Sequence, residues 1–496
     1  MSADLRRDPE VGKLVASQRN SEPPLALAVQ RRGIDVTDAE SVRCLERPRA
    51  VLIGGRRSRA TTERGTTETE PAHFKTASAT RASFESKHGP RVPEEPTDRK
   101  MRYVRGFHLS WSFIILLTMN IVASTINARV AESRPIPRGE GATMDLLARL
   151  SNVPAVSGFE HEAQKLVADE LRPYADEIRT DRLGSVIALR KARKPSRETP
   201  YRLLYAAHID EIGFMVSYID DRGFIYFIPI GGFDARTLPS QRVTVHGTAG
   251  DEPSKLEGVI PSKPGWMTDD EDRKRVIPID ELFVDTGLPA ERVKAVVQVG
   301  DAINLSKEFE VLNDEIVTGR NFDDRVGTYS LIDSFRRIEE NTVDVYAVST
   351  VQEEVGVRGV PTAAHAIGAD ICVAIDGSLP SDIPFAKSHR AQCPIGGGTG
   401  IYLMDNRTIG DRDLLRGLID TCERHDIRYQ RNIGGGTDAS AVQRAGLGAK
   451  ATTIGAPTRY MHSTVQMCHM RDIRATADLL AYFPRYAHEI LPDDWR

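Results

Sequence analysis

The residues best suited to chemistry sit where apolar runs end. His208-Ile209-Asp210 closes the run Leu203 to Ala207, and Asp323-Asp324 precedes a helical pattern starting near Arg325. Glu353-Glu354 follows Val345 to Val351, Asp376 follows Ile371 to Ile375, and His462 comes after Ala451 to Gly455. In open α/β sheets ligands gather at the carboxyl ends of strands. Two imidazoles and three carboxylates delivered there make the ligand set of a dinuclear divalent-metal site, with one carboxylate bridging. Each position alone has a plainer reading, since a histidine after a strand is commonly a satisfied core residue and Glu-Glu pairs are common on solvated faces. All five in one domain point to metal chemistry.

The neighbours of these residues carry further expectations. Asp210 follows His208 by two residues in an extended exit, hence on the same side, where its carboxylate is expected to accept the second imidazole N–H and fix the tautomer. Asp324 is expected to cap the following helix. Of the adjacent Glu353 and Glu354, one can bind metal while the other faces the substrate as general base. His161, His246, His365, His389, His425 and His469 lack such company and read as structural or exposed.

The elements that must position these groups are those of an α/β domain from about residue 141 onward. Apolar spacing predicts helices over 144–150, 160–171, 326–335 and 361–367, and strands over 202–206, 343–350 and 371–375. Between residues 231 and 305 glycine, proline and alternating Val/Ile predict several short strands. This stretch forms a small β domain inserted in the α/β domain. There is no internal repeat.

Composition bounds the rest. The chain has 496 residues, 40% hydrophobic and 27% charged, which are globular values that exclude a wholly disordered or polytopic membrane chain. Lys+Arg 66 against Asp+Glu 70 excludes a general polyanion binder, so no nucleic-acid partner is expected. Residues 1–105 hold 21 basic and 15 acidic residues, a net +6 that leaves −10 for the remainder. Residues 1–100 sustain no apolar period and read as a disordered extension; the alternative is a basic arm. Residues 107–128 contain no Asp, Glu, Lys or Arg, behind Arg102 and Arg105. That stretch, with Met101 before it and small residues after it, reads as a signal peptide or membrane anchor over 101–128, so export or membrane contact is expected. A core helix in a cytoplasmic protein is the alternative. Five cysteines, not paired in spacing, exclude a disulfide scaffold.

Taken with Phe322-Asp323-Asp324-Arg325-Val326-Gly327, Gln352-Glu353-Glu354-Val355-Gly356, Gly434-Gly435-Gly436-Thr437-Asp438 and Arg459-Tyr460-Met461-His462-Ser463, the segment Ala207 to Val216 resembles the first metal motif of the clan MH aminopeptidases of peptidase family 42. These are the glutamyl, leucyl, lysyl or tetrahedral aminopeptidases, some labelled "cellulase M". The resemblance runs from about residue 144 to 483. It implies a mixed-sheet sandwich, with a catalytic domain over 141–227 and 314–490 and a PDZ-like β-barrel over 228–313 that helps build twelve-subunit homo-oligomers. It further implies two zinc or cobalt ions, one on His208 and Asp376, one on Glu354 and His462, with Asp323 bridging. A cis peptide would join Asp323 to Asp324, Glu353 would be the general base, and Asp210 would support His208. Peptides are the implied substrates. Ser240, where glycine is expected, together with Asn321 and Gly377-Ser378, departs from the family wording. Two other classes remain as alternatives: a glycoside hydrolase, which needs paired carboxylates and no metal, and a non-catalytic shell-forming protein.

Overall fold

The computed structural model describes residues 138–496, apart from 388, 390, 391, 493, 494 and 496. The expected extension (1–100) and signal-like segment (101–128) lie outside the described residues. Among the described residues no helix is long and apolar enough to cross a membrane.

The run Leu203-Leu204-Tyr205-Ala206-Ala207 is apolar without alternation, as a strand covered on both faces must be. It forms β3 (Arg202–His208), third of four central strands in the order β2 (Val186–Arg190), β12 (Asp344–Thr350), β3 and β13 (Ile371–Ile375). The full order is β1 (Glu177–Thr180), β2, β12, β3, β13, β16 (Lys450–Gly455), β14 (Thr399–Met404) and β15 (Tyr429–Ile433). β12, β3, β13 and β16 run parallel, while β1 and β2 pair antiparallel. Leu203, Tyr205 and Ala207 face one core with Phe322, Val326 and Phe335 of α3 (Phe322–Arg337). α1 (Arg138–Asn152), α2 (His161–Leu171) and α6 (Met470–Tyr482) cover the same face. Leu204 and Ala206 face the other core, under Val360, Ala363 and Ile367 of α4 (Gly359–Ile367). α5 (Arg412–Arg424) is set by its N-cap Asp411, whose side chain accepts the N–H groups of Asp413 and Leu414.

A second, wholly antiparallel sheet of six strands has the order β7 (Ser254–Ile260), β6 (Gln241–Gly247), β9 (Ala302–Leu305), β4 (Gly213–Ile219), β5 (Ile225–Ile230) and β8 (Phe283–Val284). Val259 and Asp285 exchange two backbone hydrogen bonds of 2.9 Å each, so the first strand of that order meets the end of the last. Phe214, Phe227, Val243, Val245 and Ile303 form its separate core. This sheet begins at Gly213, ahead of the boundary expected at 228, because the chain passes from β3 through four residues directly into β4. It ends at Leu305, and β10 (Glu310–Asn313) pairs instead with β11 (Ile316–Gly319), which pairs with β17 (Gln466–His469). Ser240 has φ 74°, a left-handed conformation in which glycine is the easier residue.

A buried ionic brace ties the exit of β3 to the entry of α3. Glu211 lies 2.9 Å from Arg320 Nε and 3.5 Å from an Arg325 amine, and it also accepts the Ala155 N–H and the Asn321 amide. Burial would raise the Glu211 carboxyl, but the two guanidiniums hold it below its ordinary value. Arg325 also donates to the carbonyls of Ile209, Leu150 and Val153. Substituting Glu211→Leu leaves both guanidiniums buried without their anion, so stability should fall by about 3–5 kcal/mol. Denaturant unfolding of the variant measures this, and a loss below about 1 kcal/mol would show that the brace is dispensable.

Candidate metal centre

Register brings the candidate ligands to one level. Thr350 of β12 lies opposite His208 of β3, and Ile375 of β13 lies opposite Ala207. His208 is the last residue of β3, Asp376 the first after β13, and Glu353 and Glu354 occupy the turn after β12. His462 stands in the loop between β16 and β17, and Asp323 in the first turn of α3, where the Asp323–Asp324 peptide is cis. A Cβ on Gly455 would fall 1.6 Å from the Asp376 carbonyl oxygen, so only glycine lets β16 lie so close to the end of β13.

The two imidazoles converge on one carboxylate. His208 Nε2 is 3.1 Å from Asp323 Oδ1, and His462 Nε2 is 3.4 Å from Asp323 Oδ2 and 3.3 Å from Glu354 Oε2. His208, Asp323 and Asp376 form one group whose ligand atoms all lie within 4.8 Å of one another, and Asp323, Glu354 and His462 form a second. Both histidines turn Nδ1 to a main-chain carbonyl, His208 to Asp210 at 3.1 Å and His462 to Gly232 at 3.0 Å. A carbonyl only accepts, so each Nδ1 carries the proton and each Nε2 is free to be a ligand. The His208 side chain is 2% exposed and that of His462 40%, so the site opens to solvent on the His462 side.

The residues fit divalent cations. Burial raises the carboxyls of Asp376 and Glu354, and the charge of Asp323 raises both further. Burial also raises Glu353, with Asp438 and Glu354 adding to it. Burial would raise Asp323 too, but His208 and His462 hold it well below the carboxylate range. Carboxylates that repel one another in a buried cluster lose that penalty when cations sit among them, and imidazole with carboxylate is the donor set of zinc and its neighbours. Glu353 belongs to neither group.

Several supporting contacts differ from the sequence expectations. The nearest acceptor for His208 Nδ1 is the Asp210 carbonyl, while the Asp210 carboxylate is 3.5 Å away. That carboxylate instead accepts the Ser157 hydroxyl at 2.6 Å and the backbone N–H groups of Glu353 and Glu354 at 3.0 and 3.2 Å. It therefore anchors the ligand turn as well as flanking the histidine. Asp324 does cap, its Oδ1 accepting the Gly327 N–H. Asn321 is a buried structural residue, held by Ser151 and Glu211. Sequence reasoning missed Gln466, whose side chain accepts the Asp323 N–H at 2.8 Å and donates to the Arg320 carbonyl. Nor did it find the Gly232 carbonyl, which no side chain announces. Asp438, closing the loop from Gly434, accepts the Thr350 hydroxyl at 2.6 Å behind the same turn. Of the histidines set aside, His246 meets Asn304, His425 stacks on Tyr482, and His161, His365 and His389 are exposed.

Comparison with known proteins gives the same direction. The model of the M42 glutamyl aminopeptidase family matches residues 184–479. A putative aminopeptidase of Acetivibrio thermocellus is 31% identical over 68% of this chain and 96% of its own length. An aminopeptidase structure from the archaeon Desulfurococcus kamchatkensis is similar at 33% identity and a TM-score of 0.66, over 72% of this chain and 99% of its own. The Pyrococcus horikoshii TET1 peptidase, described as assembling into a tetrahedron or a large octahedral shell, is similar at 30% identity and a TM-score of 0.60, over 69% and 99%. With the family model covering more than half its length, this chain belongs to the M42 glutamyl aminopeptidase family of peptide hydrolases.

Proposed function

We propose that the protein is a metal-dependent aminopeptidase that removes N-terminal residues from peptides, with Glu353 as general base. The observation that carries this reading is the membership of Asp323 in both ligand groups, with Glu353 half-buried beside them and in neither. His208 and Asp376 would hold one divalent ion and Glu354 and His462 the other, with Asp323 bridging; zinc and cobalt both suit these donors. When bound, the pair supplies Lewis acidity that polarises the scissile carbonyl and acidifies the attacking water. Glu353 takes the proton from that water as the new C–O bond forms, then passes it to the leaving nitrogen as the C–N bond breaks. The free α-amine of a peptide would bind at one of the two ion positions, and backbone N–H groups of the loop from Gly434 to Thr437 would orient the substrate. Asp210 keeps the Glu353–Glu354 turn and His208 in register, as a positioning residue. A glycoside hydrolase needs no imidazoles on a shared carboxylate, and a non-catalytic shell protein needs no carboxylate poised beside them.

The catalytic domain is proposed to receive the six-stranded sheet as a small PDZ-like barrel used in dimerisation. The Val259–Asp285 pairing supports the barrel reading. Likeness to the TET1 peptidase supports a homo-oligomeric shell, a dodecamer by resemblance. Export or anchoring through residues 101–128 remains the proposed location, and N-terminal sequencing of protein from its native source tests it. A start near Ala128 is expected, and a cytoplasmic form that keeps residues 101–128 would contradict it.

Two experiments separate metal binding from catalysis. Exhaustive chelation should abolish hydrolysis of a peptide anilide until zinc or cobalt returns, with up to two ions bound per chain. Full activity without metal, or chelator-independent cleavage of a cellulose oligomer, would sink the reading. Glu353→Gln keeps shape and removes basicity, so turnover should fall about a hundredfold or more while metal content and substrate binding persist. Loss of metal with an unchanged rate per filled site would instead make Glu353 the ligand and Glu354 the base.

A further inference from the structure

The two candidate ligand histidines are oriented by different parts of the molecule. His208 is served by a carbonyl two residues along its own strand exit. His462 is served by Gly232, 230 positions away in sequence and just beyond β5 of the six-stranded sheet. The loop that carries His462 fixes its own backbone: the Ser463 hydroxyl donates to the Tyr460 carbonyl at 2.6 Å, and Arg459 pairs with Asp382 at 2.9 Å. Neither bond touches the His462 ring. The ring is 40% exposed; its Nε2 lies 3.4 Å from Asp323 and 3.3 Å from Glu354, and its Nδ1 meets the Gly232 carbonyl, so that carbonyl sets which nitrogen the ring turns toward the two carboxylates.

The position of Gly232 is set within the six-stranded sheet. Gly231 has φ 83°, and a Cβ there would meet the Ile212 side chain at 2.5 Å, so the chain turns against the root of β4. Phe233 then stacks on Phe214, with ring centroids 4.4 Å apart and planes 20° apart, and Phe214 is fully buried in the core of that sheet. Asp234 closes the following turn by accepting the Arg236 N–H. A second tie runs beside the first, from the Thr464 hydroxyl to Gln241 Oε1 at 3.2 Å.

We infer that the six-stranded sheet is a working part of the second metal site: Phe233 is a positioning residue that holds the Gly232 carbonyl on His462 Nδ1, so His462 presents Nε2 beside Asp323 and Glu354. The inference rests on the two-ion reading above and goes beyond it. It makes the second ion sensitive to the seating of this sheet, and the first ion insensitive to it.

Zinc titration of the purified full chain against a chromogenic chelator tests this without reference to catalysis. Wild type should show two binding steps. Phe233→Ala should weaken the second step about tenfold or more, the usual effect of removing a partner that orients a metal-bound histidine, and leave the first unchanged. Phe233→Tyr retains the stacked ring and should restore the wild-type second step, which general damage to the sheet would not predict. Circular dichroism and the melting temperature establish that each variant is folded. If Phe233→Ala does not fold, Thr464→Val decides, since it removes only the hydroxyl tie and should weaken the second step severalfold. Two unaltered binding steps in a folded Phe233→Ala, or in Thr464→Val where that variant decides, would overturn the positioning role and leave the two-ion reading intact. Fewer than two steps in wild type would overturn both.

Discussion

Asp323, Asp324, Glu353, Glu354 and Asp376 crowd one end of the parallel central strands of a mixed sheet, and their mutual repulsion is the constraint that the surrounding structure answers. Like charges in a low-dielectric pocket separate unless each is held from behind. Here the holding is done largely through the backbone. Asp210 receives two N–H groups of the turn after β12, Gln466 receives that of Asp323, and Asp324 receives that of Gly327. For Glu353, Glu354 and Asp323 the backbone is fixed rather than the carboxylate, which leaves their acidic oxygens to the histidines and to cations, whereas Asp324 gives Oδ1 to the Gly327 N–H. The buried pair of Arg320 and Arg325 on Glu211 then braces the segment from which Asp323 emerges.

What could be read from sequence follows from which features residue types carry. β3, β12 and β13 are continuous apolar runs because both faces are covered, so their carboxyl ends, and with them His208 and Asp376, were legible. The helices over α2, α3 and α4 were legible from apolar spacing, although α3 begins at Phe322, since its first turn is bent at Asp323 and Asp324. The start of the six-stranded sheet was not legible, since Phe214-Met215-Val216 continues the apolar texture of β3 and the glycine pair that breaks it comes only at Gly231. Support through carbonyls was invisible for a deeper reason. Gly232 and Asp210 act on the histidines through main-chain oxygen, which every residue has, so only the fold selects them.

Backbone strain is concentrated in the two loops that deliver Glu354 and His462. Gln352 and Val357 both have φ 56° around the glutamate turn, and Tyr460 and His462 both have φ 59°. Residues other than glycine enter this region at a cost, and a β-branched residue such as Val357 most of all, so surrounding bonds must over-determine the conformation. Around the glutamate turn they do, since Asp210 receives two of its N–H groups and the Glu353 carbonyl accepts two more from Gly356 and Val357. Around His462 the ties within its own loop reach the backbone alone; the ring is held between Asp323 and Glu354 on Nε2 and the Gly232 carbonyl of the neighbouring sheet on Nδ1. One ligand loop is therefore closed upon the catalytic sheet itself, while the other is completed by a different module. A site divided in this way has a buried half, floored by His208 and Asp376, and an exposed half that borders the six-stranded sheet. The side on which the site meets solvent is thus the side whose geometry the eight-stranded sheet does not fix alone.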